Sequence, residues 1–118
     1  MNMKEFANLV GLSSYTLRYY EKIGLLKHIQ RNGSGHRVYS SKDAQWVAFI
    51  KRLKETAMPL EDILAYATLR EGGPNTALER QKLLERHQKY LKQHIAQQQT
   101  HLAALEEKIN LYKNNKVR

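Results

Sequence analysis

The chain has 118 residues and twenty Lys+Arg against eleven Asp+Glu, a formal net charge of +9, so a single basic unit is the starting expectation. No apolar stretch approaches the ~18 residues a membrane span needs, and the amino terminus MNMKEFANLV has no run that could serve as a secretory signal. Cysteine is absent, which excludes disulfides, thiolate metal sites, iron–sulfur clusters and a catalytic thiol, and leaves a cytoplasmic protein whose commonest acidic partner would be nucleic acid.

Met3 to Val10 reads as a short helix, with Phe6, Ala7 and Val10 on one face. Gly11 closes it and Ser13 can cap a second helix at once. Two short helices across a three-residue turn containing glycine match a helix-turn-helix. In the second helix Leu17 and Tyr20 share one side, with Thr16 at its edge. Tyr15, Arg18, Tyr19 and Lys22 fall at i, i+3, i+4 and i+7 on the opposite side. Exposed tyrosines among cations need a reason. Arginine reaches base edges or phosphates, and phenol hydroxyls donate to phosphate oxygens. The plainer reading packs the tyrosines on a neighbouring helix and leaves the charges solvated. Gly24 ends the helix.

From Ser13 to Lys42 the cations Arg18, Lys22, Lys27, Arg31, Arg37 and Lys42 face only Glu21, so thirty residues carry +5. Such density beside phosphate favours binding through counterion release. Within this stretch RNGSGHRVYS, Arg31 to Ser40, reads as a hairpin, with Gly33 and Gly35 supplying positive φ. Strand alternation points Arg37 and Tyr39 one way and Val38 the other, which suits a wing lying along a phosphate backbone. An ordinary hairpin with a salt-bridged arginine is the alternative.

Ser40 and Asp43 form a capping box for a third helix running to about Glu55, with Trp46, Phe49, Ile50 and Leu53 as its buried stripe. Pro59 suits the first turn of a fourth, in which Leu60, Ile63, Leu64 and Ala67 repeat that spacing. EGGPNT, Glu71 to Thr76, stops the helix and starts a linker. The expected division is a head over residues 1–70, a linker over 71–75, and a dimerisation helix with its tail over 76–118.

Thr76 and Glu79 make a further capping box, and the segment then runs to about Lys113 with neither Gly nor Pro. Leu84, Leu91, Gln98, Leu105 and Tyr112 fill heptad position d, and Gln88, Ile95, Leu102 and Ile109 fill position a. A seam of this length needs a second copy of the chain. The dimerisation residues are therefore Leu84, Leu91, Ile95, Leu102, Leu105, Ile109 and Tyr112. His87, His94 and His101 recur every seven residues at position g. They invite three readings: protonation near pH 6 weakening a dimer, Zn²⁺ bridging two chains, or simple solubilisation of the helix.

No Ser/His/Asp grouping, paired-carboxylate pocket or P-loop supports an enzyme. Glu61 and Asp62 lie in the first turn of a helix, where the dipole accounts for them. No catalytic residue, cofactor or metal site is expected.

Taken together, SSYTLRYYEKIGLL, the glycine hairpin ending HRVYS, and DAQWVAFIKRLKETAMPLEDIL closely resemble the MerR family of bacterial transcription regulators. ATLREGG is most similar to that family's aldehyde- and nitrosative-stress-responsive branch. The resemblance covers Met1 to about Leu69 and extends by architecture through the coiled coil. It implies a mainly α fold: a winged helix-turn-helix head with a small β-hairpin wing, then a long antiparallel coiled-coil dimerisation helix. It further implies homodimeric binding to double-stranded promoter DNA and control of transcription by distorting the promoter spacer. RNA polymerase is then an indirect partner, the trigger is a stress or small effector, and no membrane is involved. Tyr15, Thr16, Arg18 and Tyr19 match the family's recognition-helix contacts, and Arg37 and Tyr39 match its wing.

The departures limit what transfers. Arg52 stands where the redox-sensing branch carries a cysteine, no thiolate ligands follow, Pro59 replaces a Ser or Thr, and no ligand-binding domain is expected beyond Arg118. The inducer chemistry of relatives is therefore not carried over. The competing functions are an architectural or excision-type DNA-bending factor without inducer, and a coiled-coil adaptor whose basic head docks on an acidic protein.

Overall fold

The computed structural model describes residues 1–116 and divides into two compact units, Met1–Arg80 and Gln81 onward. In the first unit, the head, α1 (Met3–Val10) and α2 (Ser14–Ile23) form the helix-turn-helix. Each end of the pair carries its own stop or start. The Asn2 side chain accepts from Glu5 N–H while Glu5 reaches back to Asn2 N–H, closing a capping box on α1. Gly11, at φ 71°, ends α1 in the left-handed region where a β-carbon would strain the chain. Ser13 Oγ then accepts from Thr16 N–H at 3.0 Å and starts α2.

A two-stranded antiparallel hairpin follows, β1 (Gln30–Arg31) and β2 (Arg37–Val38), paired Gln30 with Val38 and Arg31 with Arg37. Its tip differs from the glycine-pair expectation. Only Gly35 takes a positive φ, 81°, and Gly33 does not. The turn is held by Asn32, whose side-chain oxygen accepts from Ser34 N–H and His36 N–H.

The Ser40–Asp43 capping box opens α3 (Ser41–Glu55), and Pro59 precedes α4 (Leu60–Glu71). Helix α1 packs on α2 and α3, and α3 on α4. Phe6, Leu17, Tyr20, Val47, Ile50 and Ile63 are almost wholly buried where these helices meet. Leu60 departs from the expected stripe, being exposed at the mouth of α4, whereas Val47 joins the core. A 3-10 turn over Gly73–Thr76 leads into α5 (Ala77–Lys113). Thr76 does not close a capping box with Glu79. Its hydroxyl lies 2.6 Å from the Leu69 carbonyl and 2.8 Å from that of Gly73, and accepts from Arg80 Nε at 3.1 Å. The tighter local turn claims the hydroxyl first.

The second unit is the continuation of α5, a helix of 37 residues in all and therefore roughly 55 Å long. Leu83 is its buried residue, and Tyr90 stacks with both His87 and His94 at 6.0 Å between centroids.

Candidate nucleic-acid interface

Helix α2 presents two chemically different faces because its inner one is spent on the core. Leu17 and Tyr20 are buried, and Lys54 Nζ donates to the Tyr20 hydroxyl at 3.3 Å from across the head. The outer face carries Tyr15, 79% exposed, together with exposed Arg18, Tyr19 and Lys22. These four side chains share one solvent-facing stripe, as their spacing requires. Thr16 is half-buried, and its Oγ1 accepts from the Ser13 hydroxyl at 2.9 Å. It belongs to the N-terminal turn as much as to the outer stripe.

The wing is fastened to α2 by Glu21. Arg37 Nε donates to Glu21 Oε2 at 2.6 Å, with both side chains about a quarter exposed. Arg31 Nη2 lies 4.0 Å from the same carboxylate, and Arg31 Nη1 donates to the Gly35 carbonyl at 2.8 Å. Glu21 thus holds Arg37 by a hydrogen bond and only borders Arg31, and one carboxylate does not cancel the local excess of positive charge. Arg18 of α2, Lys4 of α1, and Arg31, His36 and Arg37 of the hairpin line a single open cleft of about 320 Å³. A cleft lined by this many cations suits phosphate oxygens.

Tyr39 overturns its sequence assignment. It is 2% exposed, stacked on Phe6 with centroids 4.1 Å apart and planes 5° from parallel. Its hydroxyl donates to Met3 Sδ at 3.6 Å and its backbone N–H to the Met1 carbonyl at 2.7 Å. The strand ends at Val38, so alternation no longer governs the next residue, and the apolar ring is taken into the core. Burial raises the Tyr39 phenol above its ordinary pKa of 10.0, against the opposing pull of the Arg37 guanidinium. Lys4 and His36, conversely, join the cleft although no local pattern marks them. Arg31, one cation of the dense basic stretch, lies in the cleft as well.

On α5, Leu84 and Leu91 are half-buried, while Ile95, Leu102, Leu105, Ile109 and Tyr112 are between 43% and 62% exposed. The apolar seam at spacing three and four therefore lies open on the isolated chain. Among the described residues no helix is long and apolar enough to cross a membrane, and no group of three or more His, Asp or Glu is arranged to hold a metal ion.

The family described as MerR HTH family regulatory protein matches residues 1–68, and that described as MerR, DNA binding, matches residues 44–108. The chain belongs to the MerR family. MerR-family proteins are transcriptional regulators and not enzymes. An uncharacterized HTH-type transcriptional regulator of Haemophilus influenzae is 39% identical over 110 residues, which span 93% of this chain and 82% of the relative. The HTH-type transcriptional regulator AdhR of Bacillus subtilis is 38% identical over 93 residues, 72% of this chain and 66% of AdhR. The crystal structure of HiNmlR, a MerR family regulator lacking the sensor domain and bound to promoter DNA, superposes with a TM-score of 0.88 at 37% identity. That match covers 98% of this chain and 91% of HiNmlR. The mainly helical MerR fold, with its small hairpin and long C-terminal helix, is the one seen in this chain.

Proposed function

We propose that this MerR-family regulator binds double-stranded promoter DNA as a homodimer. Its two α2 helices read successive half-sites, and it controls transcription by distorting the promoter spacer in response to a stress or small effector. The reading rests chiefly on the outer face of α2. Tyr15, Arg18, Tyr19 and Lys22 are held in solvent while Leu17 and Tyr20 anchor the helix from behind. Bases are read by the side chains such a stripe carries, and phosphates by the neighbouring cationic cleft. That HiNmlR is bound to promoter DNA with a closely similar fold supports the same ligand here.

In this reading Tyr15, Thr16, Arg18, Tyr19 and Lys22 contact the groove and its flanking phosphates, and Arg37 serves the backbone with Arg31 and Lys4. Dimerisation is assigned to the α5 seam, antiparallel through Leu84, Leu91, Ile95, Leu102, Leu105, Ile109 and Tyr112. Two copies would cover apolar side chains that the isolated helix leaves in water. The decisive experiment is a titration of the promoter duplex nearest the gene against salt. A steep log–log slope and protection of two half-sites are expected. A flat slope with tight binding to an acidic protein would favour the adaptor reading, and loss of protection in the absence of any effector would define the inducer requirement.

A further inference from the structure

A second group of chemistry-bearing side chains lies in the head between α3 and α4. Trp46, Phe49 and Tyr66 hold three rings within 5.4–6.1 Å of one another, Trp46 and Tyr66 lying 18° from parallel. Arg70 lays its guanidinium carbon 4.2 Å from the Trp46 ring centroid. With Lys42 and Gln45 these residues line an open cleft of about 360 Å³, within the ~300–1,000 Å³ usual for small-molecule sites. In the floor, the Trp46 indole N–H donates to the Leu25 carbonyl at 2.6 Å. Phe49 and Tyr66 remain half-buried, with ring surface still open.

The charge of the lining is one-sided. Lys42 and Arg70 are its charged members and no carboxylate joins them. The ion pairs among the described residues use His28, Glu71, Arg31, Glu21 and Arg37 instead. Stacking on Trp46 restricts the Arg70 side chain in advance, while the edge of its planar fork stays available to a bidentate acceptor. Arg70 also draws on the adjacent Glu71 carboxylate, outside the lining, without a direct ion pair, and an apolar floor under two cations is complementary to a flat ring carrying a negative charge. None of these residues belongs to the α2 stripe or the wing cleft.

We propose that this cleft binds a small planar aromatic carboxylate, its ring against Phe49 and Tyr66 and its carboxylate on the Arg70 fork, with Lys42 adding charge at the rim. The site is one hydrogen bond from the recognition helix. Leu25, which accepts from Trp46, follows Gly24 at the end of α2, and its own N–H donates to the Tyr20 carbonyl at 2.8 Å. A ligand that shifts Trp46 thereby acts on the segment that terminates α2.

Trp46 is the chain's one tryptophan, so its indole N–H gives a single indole cross-peak in a ¹H–¹⁵N spectrum of the full chain. Titration with benzoate is expected to move that peak saturably. Acetate, which lacks the ring, and benzamide, which lacks the charge, should each bind at least about tenfold more weakly, as the loss of one principal contact implies. Arg70→Gln should weaken benzoate by a similar factor with the rest of the spectrum unchanged, and Arg70→Lys should fall between. A linear, unsaturated drift, equal response to benzamide, or unaltered affinity in Arg70→Gln overturns the proposal. So does a change in sedimentation of Arg70→Gln with no change in the titration, which would assign the cleft to contact between copies. No duplex is present in this titration, so its outcome is independent of the DNA-binding reading.

Discussion

The head and the long helix use the same apolar periodicity to opposite ends. In the head, Phe6, Leu17, Tyr20, Ile50 and Ile63 come from four different helices and bury one another. In α5, apolar residues recur just as regularly, yet from Ile95 to Tyr112 the seam residues stand in solvent. A single helix cannot turn its stripe inward on itself. Periodicity therefore states that a face will be covered, and tertiary structure decides whether the cover is the same chain. The head covers its own apolar faces, and the seam of α5 leaves its faces in water.

The sharpest way to break this contrast is to charge the seam. Leu102→Asp with Leu105→Asp should abolish dimer in sedimentation at concentrations where the parent dimerises, while the near-ultraviolet signal of Trp46 in the head persists. A monomeric parent would defeat the proposed assembly outright. Next in size, Leu17→Ala should cost about 3 kcal/mol in urea unfolding, the usual penalty for truncating a fully buried leucine. A loss below about 1 kcal/mol would mean that the head's core is not closed as described.

The outer face of α2 offers a finer comparison within one helix. Arg18→Ala should reduce discrimination between operator and random duplex by about 1–3 kcal/mol in competition binding. Lys22→Ala should instead weaken both duplexes alike and lower the salt slope by about one. Unchanged discrimination in Arg18→Ala would place the reader elsewhere.

Smaller effects follow from two titrating groups in the head. The folded Tyr39 phenol keeps its proton above the ordinary value of 10.0. Its contribution to stability is therefore complete below pH 10 and is lost as pH rises through the folded value. Tyr39→Phe should remove that alkaline decline in thermal unfolding and leave duplex affinity unchanged; reduced affinity would return the side chain to the wing contact. The least effect is expected at Glu71, whose carboxylate is held below its ordinary 4.5 first by its hydrogen bond with His28 at 2.9 Å. Its contribution is present above pH 4.5 and lost as pH falls through the lowered value, a difference that Glu71→Gln should erase from acid unfolding curves.

Much of the site was legible because it depends on local geometry. The stop at Gly11, the cap at Ser13 and the 3.6-residue period together separate Tyr15, Arg18, Tyr19 and Lys22 from Leu17 and Tyr20 before any tertiary contact is known. Tyr39 was misread because a two-residue strand is too short for alternation to extend beyond Val38. Gly33 was misread because Asn32 supplies the turn's hydrogen bonds. Lys4 and His36 were missed for a related reason: a cleft shared by α1, α2 and a hairpin has no period along the chain.

The order of helices, the caps at Ser13 and Ser40, the hairpin, the two faces of the second helix and the heptad spacing of α5 were determined by the sequence itself. Hydrogen bonds and side-chain directions within a turn or two depend on near neighbours alone. Tertiary structure decided that Phe6 claims Tyr39, that Glu21 ties the wing to α2, and that Trp46, Tyr66 and Arg70 meet. Those contacts join residues far apart along the chain, and their geometry exists only once the helices have packed.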